Sequence, residues 1–103
     1  MVMAATPTNL FRGAATTNLT TTLYTTPAST TTVVSNIAVT NTSASNQTYT
    51  LSLNGIALAT TVSINSNSTV FIDLKQVLVA TNLIQGGASA TSVNFHIGGV
   101  EIV

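Results

Sequence analysis

From residue 20 onward the chain is written mostly in period two. The clearest stretch is Gln47–Leu53, where Tyr49, Leu51 and Leu53 alternate with Thr48, Thr50 and Ser52. Strict alternation is what a strand with one buried and one wet face requires. The same grammar predicts a first strand near Thr21–Thr25, closed at Pro27, whose missing N–H stops a ladder. A second is expected near Thr31–Thr40, with Val33, Ile37 and Val39 on one face and Asn36 and Thr40 on the other. Asn54-Gly55 directly after Leu53 supplies the positive φ angles of a tight hairpin. It leads to a returning strand near Ala57–Ile64. Asn65-Ser66-Asn67-Ser68 reads as another turn, followed by Val70, Ile72 and Leu74 on one face. Val77–Ile84 is apolar and fits either a short strand or one helical turn closing an end. Gly86-Gly87 is expected to break it. Ser92–Ile97, a kink or bulge at Gly98-Gly99, and Val100–Val103 complete the pattern. Seven or eight short strands with evenly spaced turns predict an all-β chain, a single antiparallel β-sandwich or jelly-roll-like domain.

Residues 1–19 lack that period. Small apolar residues mix with Thr and Asn, and Pro7 and Gly13 interrupt any element. The stretch reads either as a frayed terminus or as an extended arm lying on a neighbour. In the second reading Leu10 and Phe11 are apolar anchors, Arg12 is a polar tie, and the fold survives removal of the arm. The expected organisation is therefore an extended N-terminal arm over 1–19 and a β-sandwich domain over 20–103.

Composition adds what pattern cannot. Only 4% of residues are charged, against about 25% in ordinary soluble domains. Arg12, Lys75, Asp73 and Glu101 cancel to zero. Soluble proteins normally use net charge against self-association, so a neutral surface of hydroxyls and amides suits a protein covered by neighbours in an assembly. Two cations cannot make the basic patch that nucleic acid needs, nor a polybasic segment for an anionic membrane. No apolar run approaches a bilayer span. Met1–Pro7 has neither the basic nor the apolar region of a signal peptide, which fits synthesis in a cytoplasm without export. With no cysteine, disulfides and thiolate metal sites are excluded.

Candidate chemistry is sparse. His96 is the only histidine, and a catalytic triad would require the fold to bring a serine and either Asp73 or Glu101 to it. A zinc site would have to draw its ligands from one His and two carboxylates. No clustered Asp-x-Asp spacing suggests calcium. No catalytic residue, metal site or cofactor is expected. The triplets beginning at Asn18, Asn41, Asn46 and Asn67 match the N-glycosylation pattern by chance in so Asn- and Thr-rich a chain. Tyr24 and Tyr49 fall at packing positions, and no tryptophan offers a sugar platform.

The stretch Leu23–Val39, with its Leu-Tyr-Thr-Thr-Pro-Ala start and Val-Val-Ser-Asn-Ile-Ala-Val strand, resembles a β-sandwich module of tailed-phage virion proteins. The resemblance continues through the polar turn Asn41–Ser45, the Thr48–Gly55 hairpin, the Ile64–Thr69 turn before Ile72-Asp73-Leu74, and the closing Val93–Val103. It covers roughly residues 20–103. It implies a structural virion protein, most like a stand-alone capsid decoration (cement) protein that binds the assembled capsid and ties capsomers together. The implied partners are the major capsid protein and sister copies in a homo-oligomer, and the implied place is the outer capsid surface. The same module also occurs in tail, collar and baseplate components. A receptor- or carbohydrate-binding module is a further alternative.

Overall fold

The computed structural model describes residues 4–103. Eight strands follow one another: β1 (Ala5–Ala14), β2 (Thr22–Thr25), β3 (Thr31–Asn41), β4 (Gln47–Leu53), β5 (Ile56–Ile64), β6 (Ser68–Leu78), β7 (Leu83–Ala88) and β8 (Val93–Ile102). No helix occurs among the described residues. The strands form two antiparallel four-stranded sheets, ordered β1-β8-β3-β6 and β2-β7-β4-β5. The chain changes sheet at every connection except the β4–β5 hairpin. That pairing of long crossovers is the Greek-key order of an eight-stranded jelly roll. The expected all-β sandwich is thus the observed one.

Several local expectations hold because turn chemistry and period are local properties. Gln47–Leu53 is β4 to the residue. Asn54 and Gly55 take φ of 49° and 81°, the pair of left-handed residues that a tight hairpin between twisted strands demands. Asn67, in the next turn, also lies at positive φ (51°).

Other expectations need correction. Ala5–Ala14 is not an arm standing off the sandwich. It is an edge strand, antiparallel to β8 from Ala5↔Ile102 to Ala14↔Asn94. Its position explains its poor period: Pro7 is tolerated because an edge strand has one unpaired side, and Leu10 is its one fully buried side chain. The division at residue 19 therefore cuts through the domain, while residues 1–3 of the expected arm lie outside the described residues. Val77–Ile84 contains no helical turn; β6 runs through Leu78 and β7 starts at Leu83. Gly86 and Gly87 do not break the chain but lie inside β7. There a Cβ on Gly87 would collide with the backbone oxygens of Asn18 and Thr16, so the β1–β2 connection can lie directly on this strand. In β3 the buried residue is Val34, not Val33, because the register shifts between Val34 and Asn36 and reverses the phase.

The core fills the space between the sheets. Val34, Ile37, Val39, Phe95 and Ile97 come from one side, and Leu51, Ile64 and Ile84 from the other. Each such side chain is worth about 1.5–3 kcal/mol on burial. With so few charges available, this core and the sheet ladders carry the fold.

A line of irregularities crosses the first sheet. Leu10 is the extra residue of β1 between the pairs Asn9↔Gly98 and Phe11↔Ile97. Ser35 is the extra residue of β3 between Val34↔Gly99 and Asn36↔Gly98. Two β6 residues, Leu74 and Lys75, oppose Ser35. Bulges bend a strand and re-aim its side chains. β8 itself runs unbroken through Gly98-Gly99, so the kink or bulge expected there falls instead on its two neighbours, which carry the extra residues. Gly99 permits it, since a Cβ there would sit 2.9 Å from Leu10 Cδ1 and against Val33 O.

Candidate functional site

The bulge line places a groove of about 700 Å³ on the outer face of the β1-β8-β3-β6 sheet. Its cross-strand rows follow from register. Arg12 lies opposite His96, His96 opposite Ala38, and Ala38 opposite Phe71, so one row spans all four strands. The next row runs Asn9, Gly98, Asn36, Asp73. With strands about 4.8 Å apart, a four-strand row is about 14 Å across. Small residues, Ala38 and Gly98, lie in the middle of the rows, and larger ones stand around them.

Three of the chain's five charged or titratable Arg, Lys, Asp, Glu and His side chains, namely Arg12, Asp73 and His96, line this groove. All three are exposed, and Phe71 beside them exposes 79% of its surface. The expectation that no triad forms meets a partial surprise, because Ser35 also lines the groove. The groups are nevertheless not a relay. Ser35 Oγ donates to Gly98 O at 3.2 Å, and β3 stands between the strands that carry His96 and Asp73. Among the described residues, no three His, Asp or Glu side chains gather into a metal-holding group.

The residues expected to grip a partner are placed differently from one another. Leu10 is 7% exposed and belongs to the core, and Phe11 is half-buried against it. Their side chains are not free to anchor on a neighbouring molecule. Arg12 faces outward into the groove. Phe71 escaped notice at the sequence level, although the signal was present: if Val70, Ile72 and Leu74 point inward, Phe71 and Asp73 must point out.

A second surface lies where two sheet edges come together. β5 pairs only with β4, and β6 only with β3, so each leaves one side without a ladder partner. Between them is a depression of about 380 Å³ bordered by Ile56, Leu58, Val77 and Asn82. Ile56 (74% exposed), Val77 (62%) and Leu58 (37%) make this side apolar. β5 contains neither a charged residue nor a proline, the usual devices that keep an edge from pairing with another chain.

Tyr24 and Tyr49 are packing residues, as expected. Tyr49 is buried in the core, and burial pushes its phenol above the ordinary range. Tyr24 closes one end of the sandwich through Glu101 and Thr32. Asn41 is fully buried and cannot carry a glycan in the folded chain; its Nδ2 donates to Ser45 O at 2.8 Å.

No protein-family model matches the chain, and no curated protein matches it in sequence. Solved structures do match in fold. Over 98% of its length the chain is similar to a chain of the T13 viral particle of infectious bursal disease virus, with a TM-score of 0.55 and 11% identity. A chain from the Gx strain of that virus gives 0.57 at 11% identity, again over 98% of this chain. A pentameric capsid protein from metagenomic phage sequences is similar over 96% of this chain and 58% of its own, at 20% identity and a TM-score of 0.37. The chain spans 30% and 31% of the two infectious bursal disease virus chains. At such identities the likeness is one of architecture, and it identifies the jelly roll rather than a family.

Proposed function

We propose that this chain is a non-enzymatic structural protein of a virus particle, a capsid decoration protein that joins sister copies and binds the assembled shell. The observation that carries this reading is the apolar side formed by the free edges of β5 and β6. Ile56, Leu58 and Val77 stand open beside two unpaired ladders in a chain whose charged residues number only four. Such a side is a template for a neighbouring strand or an apolar partner. In an assembly each copy adds a small contact, and symmetry multiplies these into avidity. The jelly-roll fold shared with chains of a viral particle supports the same reading.

This contact surface replaces the expected grip by Leu10 and Phe11, whose side chains belong to the sandwich. The partners are the major capsid protein and other copies of this chain. Cryo-electron microscopy of intact particles tests the proposal. Density for this chain repeating across the icosahedral shell, with the β5–β6 side covered, is the expected result. Density confined to the tail axis would move it to a tail, collar or baseplate role, and absence from particles would overturn the virion reading.

A further inference from the structure

We infer that the groove across the outer face of the β1-β8-β3-β6 sheet is a binding site for a neutral carbohydrate chain. This goes beyond the assembly role, which uses the free edges of β5 and β6 rather than the outer face of the sheet. The first reason is charge. Arg12 and Asp73 border the same groove, and no ion pair joins them within 4.0 Å among the described residues. They stand on the two outer strands of the sheet, so a charged ligand finds only one exposed ionic contact at either end, which is worth little in water. A neutral ligand needs no such contact. It can use the guanidinium N–H groups as donors, the carboxylate as acceptor, and Asn36 and His96 as either. Sugar hydroxyls, which both donate and accept, match that mixed set.

The second reason is the aromatic. Phe71 stands at the groove with 79% of its surface exposed, in a row whose adjacent member is only Ala38. An exposed aromatic beside convergent polar groups is the usual composition of a small-ligand site. The C–H face of a sugar ring can lie on the phenyl ring while its edge hydroxyls reach the polar side chains. The third reason is room. A Cβ built on Gly98 would meet only the Asn36 side chain, at 2.7 Å from Oδ1, so the absence of a side chain at 98 keeps the groove floor open. The volume, about 700 Å³, falls within the roughly 300–1,000 Å³ of known ligand sites.

The test is a screen of the whole protein against an array of microbial oligosaccharides and polysaccharides. Any bound neutral glycan is then followed by 15N–1H NMR titration. Binding with shifts centred on Arg12, Ala38, Phe71, His96 and Gly98 is expected. Phe71→Ala, a change at an exposed position, should weaken it at least tenfold, and Gly98→Val should weaken it by filling the floor. Val77→Ala, on the β5–β6 side, should leave it unchanged. No bound glycan, shifts elsewhere, or undiminished binding by Phe71→Ala would overturn the inference. So would binding confined to peptides or to charged polysaccharides. Because Phe71→Ala leaves the β5–β6 side intact, particle decoration by that variant separates failure of this site from failure of the assembly role.

Discussion

The Tyr24 hydroxyl lies 2.5 Å from Glu101 Oε2 and 2.8 Å from Thr32 Oγ1, joining β2 of one sheet to β8 and β3 of the other. It donates to the carboxylate and accepts from the threonine. Burial, followed by the Glu101 hydrogen bond, raises the phenol above its ordinary 10.0. The fold therefore favours the protonated form. Below about pH 10 folded and unfolded chains both carry the phenol, and its contribution is fully present. As pH rises beyond that, the unfolded chain ionises first and stability falls until the folded-state phenol ionises too. Tyr49 acts in the same direction. Chemical denaturation at pH 8 and pH 11 should show the loss. Tyr24→Phe should cost about 1–3 kcal/mol at pH 8 by leaving Thr32 and Glu101 without their partner, and should flatten the alkaline decline. An unchanged alkaline decline in that variant would contradict the assignment.

Leu10 ties the first strand to the core, so residues 5–14 are part of the folding unit. Their deletion would expose the β8 ladder and remove a buried side chain at once. We expect the truncated chain to lose cooperative thermal unfolding, and Leu10→Ala in the full chain to cost about 2–5 kcal/mol. A truncated chain with an undiminished Tm would show that β1 is dispensable.

Thr26 presents the opposite case. Its Oγ1 is buried and has no hydrogen-bond partner, whereas its backbone N–H donates to Asn82 O at 2.9 Å. Thr26→Val keeps the shape and the backbone bond while removing an unsatisfied hydroxyl. Such a buried group costs about 1–3 kcal/mol, so the variant should unfold at a higher temperature than the parent. A lower Tm would mean that the hydroxyl has a partner in solution.

Asn41 shows how much of the polar interior is specified. Its Oδ1 accepts from Ser43 N at 3.0 Å and Ser43 Oγ at 2.8 Å, and its Nδ2 reaches Ser45 O, Ile64 O and Asn65 O. One side chain thus pins the end of β3, the β3–β4 connection and the end of β5. Asn41→Ala should cost on the order of 2–3 kcal/mol and loosen amide-exchange protection around residues 43–46. Intact protection there would argue against this role.

What the sequence disclosed followed from locality. Tyr49, Leu51 and Leu53 announce β4 because nothing in that strand interrupts the alternation of core residues, and Asn54-Gly55 carries its own turn geometry. β3 was legible in extent but not in phase, since the bulge at Ser35 is set by contacts with β8 and β6 that no local window contains. β1 was missed because an edge strand with a single fully buried residue has no period to read. At the groove, Arg12 drew attention as a tie to a partner, while the side chains that share the groove with it, His96 on β8 and Phe71 and Asp73 on β6, are brought to one face by register alone.

Attachment through the β5–β6 side carries its own signature in salt. Ile56, Leu58 and Val77 offer apolar area, and the free ladders offer backbone hydrogen bonds. Neither depends on ion pairs, and β5 contains no charge at all. Screening shortens from about 30 Å at 0.01 M to about 3 Å at 1 M ionic strength, which would weaken a charge-driven contact steeply. Self-association and particle decoration by this protein should therefore vary less than about twofold across that range, measured by sedimentation and by occupancy on particles. Val77→Asp, placing an unpaired carboxylate on the apolar side at an already exposed position, should leave the monomer folded. It should also reduce association at least tenfold, because burying that charge against a partner is strongly unfavourable. A steep fall in wild-type occupancy with salt, or full occupancy by Val77→Asp, would assign the contact to another surface.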